Sequence, residues 1–135
     1  MFSHIERFLT HWLEPLAREH GIGVISYYSL ASGFLTGKYR SADDVGKSAA
    51  RGAKVAERYL NPRGLRILQA LDDVAASHKA TPAQVALAWL IARPGITAPI
   101  VSATSVQQLQ EVLTAAQLGL SPAQVTQLDA ASAES

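Results

Sequence analysis

Gly23-Val24-Ile25-Ser26-Tyr27-Tyr28-Ser29-Leu30-Ala31-Ser32-Gly33-Phe34-Leu35-Thr36-Gly37-Lys38-Tyr39 is the stretch whose reading decides the fold. Val24 to Tyr28 is a short β-branched and aromatic run of strand length, expected to be a strand buried on both sides. Ser29 to Gly37 alternates small residues with Leu30, Phe34 and Leu35, and its two glycines reach φ values closed to other residues. A structured loop, rather than a linker, is therefore expected to follow the strand.

Upstream, Ile5, Phe8, Leu9, Trp12, Leu13, Leu16 and Ala17 recur at three- and four-residue steps. That spacing predicts a helix over residues 4–20, kinked near Pro15, which Gly21-Ile22-Gly23 ends. Downstream, residues 41–60 are polar and alanine-rich, with Asp43, Asp44, Gly46 and Gly52 against a long helix; a mobile excursion, helical at its end, is expected. Asn61 is then a good N-cap and Pro62 suits the first helical position, with Leu65, Leu68, Leu71 and Ala75 as an apolar stripe ending near His78. Thr81-Pro82 repeats the start signal, and Val85, Ala88, Trp89 and Ala92 share a face before Pro94-Gly95. Ala98-Pro99-Ile100-Val101 reads as a second short strand, Ser102 to Ser105 as a polar turn. Leu109, Val112, Leu113 and Ala116 define a further helix, and Ser121-Pro122 opens the last through Val125 and Leu128. Thr81-Pro82-Ala83-Gln84-Val85 and Ser121-Pro122-Ala123-Gln124-Val125 match, which two helices opened by the same cap chemistry explain without a repeat.

Strands alternating with helices argue for βα units with parallel strands. Two strands alone are too few, because a two-stranded sheet is marginal and a parallel sheet needs both faces covered. The chain thus reads as an arc of a larger closed sheet: α/β, mostly helical, with two short parallel strands.

Composition narrows the function. The 135 residues include 48% hydrophobic residues, enough for a core. Twelve basic and 11 acidic side chains leave a net charge of +1 with no dense basic stripe, which argues against nucleic acid as a partner. The absence of cysteine removes disulfides, thiol nucleophiles and thiolate metal sites. The N-terminal twenty residues carry scattered charges rather than a secretory signal, and no stretch approaches the roughly 18 consecutive apolar residues of a bilayer span. A soluble, cytoplasmic protein without a membrane partner is expected.

Three blocks carry a resemblance: residues 23–39 quoted above; Thr81-Pro82-Ala83-Gln84-Val85-Ala86-Leu87-Ala88-Trp89-Leu90; and Ala98-Pro99-Ile100-Val101-Ser102-Ala103-Thr104-Ser105-Val106-Gln107-Gln108-Leu109. Each is similar to a segment of the aldo-keto reductase family, in the family's order and at family-like separations. The resemblance covers roughly residues 21–130 and implies the seventh and eighth strands of a (β/α)8 TIM barrel with the helices around them. Residues 1–20 resemble the family less, so the division expected is a divergent N-terminal helix, 1–20, and a C-terminal barrel portion, 21–135.

The family's cofactor is NADP(H), and the resemblance implies where this chain would meet it. In parallel barrels phosphates commonly bind beyond the last two strands, over their C-terminal ends. The loop carrying Leu30, Ser32, Gly33, Leu35 and Gly37 resembles the segment that wraps the pyrophosphate; Lys38 resembles the family's basic residue near the phosphates. Tyr27 stands where the family keeps an aromatic that stacks on nicotinamide. Ser102, Ala103, Thr104, Gln108 and Glu111 resemble the turn and helix start that hold the adenosine 2′-phosphate and adenine, a helix N-terminus favouring an anion. Thr104 replaces a frequent arginine, giving a hydroxyl without a charge and leaving NADP against NAD open. Val112 stands where asparagine is common.

Plainer readings compete at several positions. Gly33-Phe34-Leu35-Thr36-Gly37-Lys38 is no P-loop, having three residues between glycines instead of four and Tyr39 in place of the magnesium-binding Ser or Thr. One of Tyr27 and Tyr28 could simply fill the core, since neighbours on a strand face opposite sides. Lys38 by itself would be a solvated charge. His4 and His11 share a helix face, while His20 and His78 have no ligand partner at metal spacing, so no metal is expected. The pairs Asp43-Asp44 and Asp72-Asp73 cannot converge as acid and base and read as solvated faces. Trp12 and Trp89 read as core anchors.

The family's reaction uses a tyrosine acid tuned by a lysine, an aspartate and usually a histidine, all from earlier strands. Tyr39 and Tyr59 lack such partners at the expected places, so no catalytic residue is assigned. Three functions remain open: a truncated reductase inactive alone, with weak or absent NADP(H) binding; one part of a barrel completed by self-association or another chain; and a non-catalytic nucleotide-sensing or interaction module.

Overall fold

The structure, a computed structural model, describes residues 13–47 and 52–133. The expected helix over residues 4–20 lies outside this range up to Trp12; from Glu14 to Glu19 the chain is helical (α1), with Pro15 in the first turn, where its missing N–H costs nothing. Strand β1, Ile25–Ser26, pairs in parallel with β2, Ala98–Pro99, in the register Ile25 to Ala98 and Ser26 to Pro99. The ladder extends past both ends, Thr97 N donating to Val24 O and Ile100 N to Ser26 O, each at 2.7 Å. Between the strands run a 3₁₀ segment, Ala31–Thr36, a 3₁₀ turn, Ala42–Lys47, and helices α2 (Gly52–Tyr59), α3 (Pro62–His78) and α4 (Pro82–Ile91). After β2 come α5 (Val106–Ala115) and α6 (Pro122–Ser132).

Local chemistry sets the helix starts. Asn61 accepts from Gly64 N at the head of α3, and Thr81 and Ser121 each form a reciprocal capping box, with Gln84 and Gln124, at the heads of α4 and α6. The matching pentapeptides are thus two uses of one cap. Each capping glutamine also reaches a neighbouring helix: the Gln84 amide donates to Glu111 O at 3.2 Å, that of Gln124 to Ser77 Oγ at 3.0 Å.

α3 is the centre of the core. Leu68, Leu71 and Val74 on it meet Val85, Ala86 and Trp89 of α4, Leu128 and Ala131 of α6, and Val55 of α2. Leu65 departs from the expected stripe and is exposed. Trp89 is the anchor expected; its indole N–H donates to Asp129 Oδ1 at 2.8 Å, and the Arg93 guanidinium lies 4.1 Å from its ring while bonding the same carboxylate. At the far end of α6 the arginines of α3 satisfy its last carbonyls, Arg63 donating to Ser132 O and Arg66 to Ala131 O and Ala133 O.

Two burial expectations fail. β1 is not buried on both sides: Ile25 is 61% exposed, and Tyr27 and Tyr28 beyond it are 68% and 61% exposed, so neither tyrosine fills the core. The helix expected around Leu109 forms, yet Leu109 and Leu113 are exposed and only Ala115 of α5 is buried. Among the described residues α4 packs against β2, and Ile25, Leu109 and Leu113 stay exposed.

The polar stretch after the loop holds more structure than a mobile excursion. Asp44 accepts from Arg40 N at 2.7 Å and Ser41 N at 3.0 Å and pairs with Lys47 at 2.6 Å. These contacts, the Lys47 ammonium first, hold the carboxyl down at about 2. Its folded value lies below the ordinary ~4, so its contribution to the turn is complete above that value and is lost as pH falls towards 2. In an NMR titration the Arg40 and Ser41 amides should shift in that window. A transition centred near ~4, the value of an unpartnered carboxylate, would remove the assigned contacts.

Candidate functional site

Because β1 and β2 are parallel, the chain leaves both strands at the same end, and the loop after β1 shares that end with the turn after β2. A residue the sequence did not single out joins them: the Ser29 hydroxyl, 1% exposed, lies 3.2 Å from Ser26 O and 3.1 Å from Ile100 O. The only signal for it was a serine inside an aromatic and apolar run.

The loop itself is strained. Tyr28, Ala31 and Ser32 have φ of 57°, 49° and 57°, with Gly33 at 91° and Gly37 at 78°. A left-handed non-glycine residue costs roughly 1–2 kcal/mol, and such residues persist only where surroundings over-determine them. Here the surroundings are the core: Phe34, Leu35 and Tyr39 are each at most 2% exposed, and Phe34 stacks on Tyr59 at 5.4 Å. The loop's large apolar side chains are thus buried in the core.

Of the residues implied as cofactor-binding, Leu35 is buried and Leu30 packs half-buried against the core, and their main chains are joined, Leu35 N donating to Leu30 O at 3.2 Å. Ser32, Gly33 and Gly37 line the turn, and Lys38 is exposed on it. A Cβ on Gly33 would lie 3.3 Å from Lys38 Cε and Nζ; the ammonium therefore rests against the glycine backbone. Tyr27 is exposed at the strand end, its ring 4.8 Å from that of Tyr28.

After β2, Ser105 caps α5 by accepting from Gln108 N at 3.2 Å, and Gln108 Oε1 accepts from Thr104 N and from the Thr104 hydroxyl, both at 2.9 Å. Thr104 and Gln108 thus brace the turn for one another. Ser102 is exposed, Ala103 half-buried, and Glu111 sits one turn further on, its carbonyl accepting from Gln84 and Thr114. The two groups of residues stand at one end of the strand pair, linked through Ser29.

The turn carries an exposed ammonium, Lys38, while the N–H groups of Ala31, Gly33, Leu35 and Gly37 are already given to Tyr28 O, Leu30 O and Phe34 O. Two further cations of this region are already engaged: Arg40 pairs with Asp72 at 2.6 Å, and Lys47 pairs with Asp44 at 2.6 Å while donating to Lys38 O at 3.1 Å. Asp72 is accordingly not the merely solvated carboxylate its sequence context suggested. No group of three or more potential metal ligands occurs among the described residues, and no described helix is long and apolar enough to cross a membrane.

The aldo/keto reductase family model matches residues 2–133. The chain is 31% identical over 119 residues to an uncharacterized oxidoreductase, YrpG, of Bacillus subtilis, covering 88% of this chain and 35% of that protein. It is 33% identical over 114 residues to the aldo-keto reductase yakc [NADP(+)] of Schizosaccharomyces pombe, covering 82% and 33%. A probable voltage-gated potassium channel subunit beta of Arabidopsis thaliana is 36% identical over 104 residues, covering 75% and 32%. Among solved structures, a thermostable aldo-keto reductase in complex with the inhibitor epalrestat superposes with a TM-score of 0.64 at 23% identity, over 93% of this chain and 35% of that one. The chain spans about a third of the length of the curated relatives it matches. With a family match along almost its whole length and a fold that superposes on an arc of the barrel, this chain belongs to the aldo/keto reductase family.

Proposed function

We propose that this chain is the cofactor-holding third of a carbonyl-reducing barrel: it binds NADP(H) across the ends of β1 and β2 and leaves proton delivery to strands it does not itself describe. The observation that carries this reading is the strained turn from Tyr28 to Gly37, which sets the Lys38 ammonium against Gly33 at the same end of the strand pair as the braced Thr104–Gln108 turn. Lys38 and the main chain from Leu30 to Gly37 would hold the pyrophosphate, Tyr27 the nicotinamide ring, and Ser102, Ala103, Thr104, Gln108 and Glu111 the adenosine end. When bound, the cofactor supplies hydride; the protein's part here is to fix its position. A cytoplasmic setting suits such a role.

The test is calorimetry. NADPH should bind weakly, and Lys38→Ala should weaken it by about 1 kcal/mol, the scale of one charge-assisted contact. No heat with either NADPH or NADH would leave Lys38 as a surface charge and end the reading. The same titration addresses Thr104, since a hydroxyl without a neighbouring cation should favour NADPH over NADH by much less than an arginine would.

A second element has its own observation. Ile25 on β1, Tyr27 and Ile100 just past the two strands, and Val106, Leu109 and Leu113 on α5 are all about half or more exposed. Beside an unpaired strand edge, such apolar surface favours pairing with another chain, either a second copy or one supplying the missing strands. Sedimentation of the purified chain should show concentration-dependent association; a stable monomer at all concentrations would contradict it. The name of the Arabidopsis relative, a channel subunit, gives the non-catalytic interaction module its support, and retained NADPH binding without turnover would favour that alternative.

A further inference from the structure

We propose that the Arg40–Asp72 ion pair is a positioning clamp for the phosphate-binding turn, acting through Gly37 and Lys38 rather than by touching the ligand; this rests on the NADP(H) reading above. Arg40 Nη1 and Nη2 donate to the two oxygens of Asp72 at 2.6 and 2.8 Å, a forked, planar pairing that fixes direction as well as distance. The same guanidinium donates through Nε to Gly37 O at 2.8 Å, and the Arg40 main-chain N–H is held by Asp44 at 2.7 Å. One side chain therefore ties the last residue of the left-handed turn to α3, the helix at the centre of the core.

Gly37 is the point at which the tie matters. It has φ of 78°, and a Cβ there would meet Arg40 Nη2 at 2.6 Å, so the guanidinium lies directly on the glycine. Lys38, the next residue, carries the ammonium that rests against Gly33. Rotation at Gly37 would swing Lys38 off the turn, and the clamp blocks that rotation. The guanidinium's own charge is spent on Asp72, so its role is placement.

Charge and placement predict opposite signs, which makes the proposal decidable. Asp72→Asn removes a negative charge near the phosphate site and frees a cation, so Coulomb attraction alone would tighten NADPH binding. Loss of the clamp would weaken it. The pair is 41% and 34% exposed, where such pairs contribute little to global stability, so the fold should survive the change.

The experiment titrates NADPH into wild type, Asp72→Asn and Arg40→Lys, the last keeping the charge while losing the fork. Amide hydrogen exchange is followed over Gly33 to Lys38 without cofactor. Both variants should bind NADPH up to about fivefold more weakly, no more than removal of the Lys38 ammonium itself would cost, and exchange faster over those amides. Wild-type affinity or tighter binding in both variants, with wild type itself binding, overturns the clamp alone. Absence of binding to wild type overturns the cofactor reading beneath it, and the two failures are thereby distinct.

Discussion

Gly64→Ala should unfold the chain at markedly lower denaturant, with a loss of about 3 kcal/mol or more, the upper end of what overpacking costs. The usual rule points the other way: glycine in a helix is about 1 kcal/mol worse than alanine, so the exchange should stabilise. Geometry decides. Gly64 lies in the first turn of α3, buried, its N–H given to Asn61 Oδ1 at 2.9 Å. The chain turns so tightly from α2 into α3 that a Cβ on Gly64 would sit 1.9 Å from Tyr59 O and 3.0 Å from Phe34 Cζ. The carbonyl is main chain and cannot swing away, while Phe34 is stacked on Tyr59 and pins the turn after β1. Accommodating one methyl means separating α2 from α3 and loosening that turn. Urea unfolding of both proteins measures it; a midpoint equal to or above wild type would show that the turn yields at little cost.

Gly64 also shows where sequence reading stops. Its neighbours Asn61 and Pro62, like Thr81-Pro82 and Ser121-Pro122, announce helix starts because capping involves groups three residues apart and needs no knowledge of the rest of the chain. The three helix starts therefore stand where their residues place them. Contacts such as Gly64 to Tyr59 O or Arg40 to Asp72 depend on how elements meet in space, and nothing local marks them. The turn after β1 is intermediate. Gly33 and Gly37 advertise left-handed backbone, but Tyr28, Ala31 and Ser32 adopt it as well, and only the burial of Phe34, Leu35 and Tyr39 explains why. Burial of β1 and of the α5 stripe was misjudged for the same reason in reverse. An apolar period says that a face is covered by something, and Ile25, Leu109 and Leu113 find no cover among the described residues.

The purified chain should not oxidise NADPH in response to an aldehyde at a rate above background. Delivering hydride to a carbonyl builds negative charge on its oxygen, and a positioned acid that meets that charge typically contributes 10²–10⁴-fold. Such an acid needs a hydroxyl that is reachable and has a partner to lower its pKa. The described tyrosines each fail one condition. Tyr39 is fully buried and its hydroxyl has no partner; the Lys38 ammonium lies 5.0 Å from its ring centroid, over the face rather than at the oxygen. Tyr59 is committed to its stack on Phe34, with the Arg58 guanidinium 5.6 Å from its ring centroid. Tyr27 and Tyr28 are reachable, but their rings contact each other, and among the described residues no side chain hydrogen-bonds either hydroxyl. Orientation is the second shortfall: placing donor and acceptor in a near-attack geometry is worth about 7–11 kcal/mol at best, and a cofactor bound as proposed above would be held by a strand pair from one side alone. The assay is NADPH absorbance with and without an aldehyde, on a sample checked by mass spectrometry for host reductases. Clear aldehyde dependence would overturn the expectation. Tyr27→Phe and Tyr28→Phe would then be the first variants to make, because only those two hydroxyls stand in the open at the strand end where a carbonyl could reach the nicotinamide.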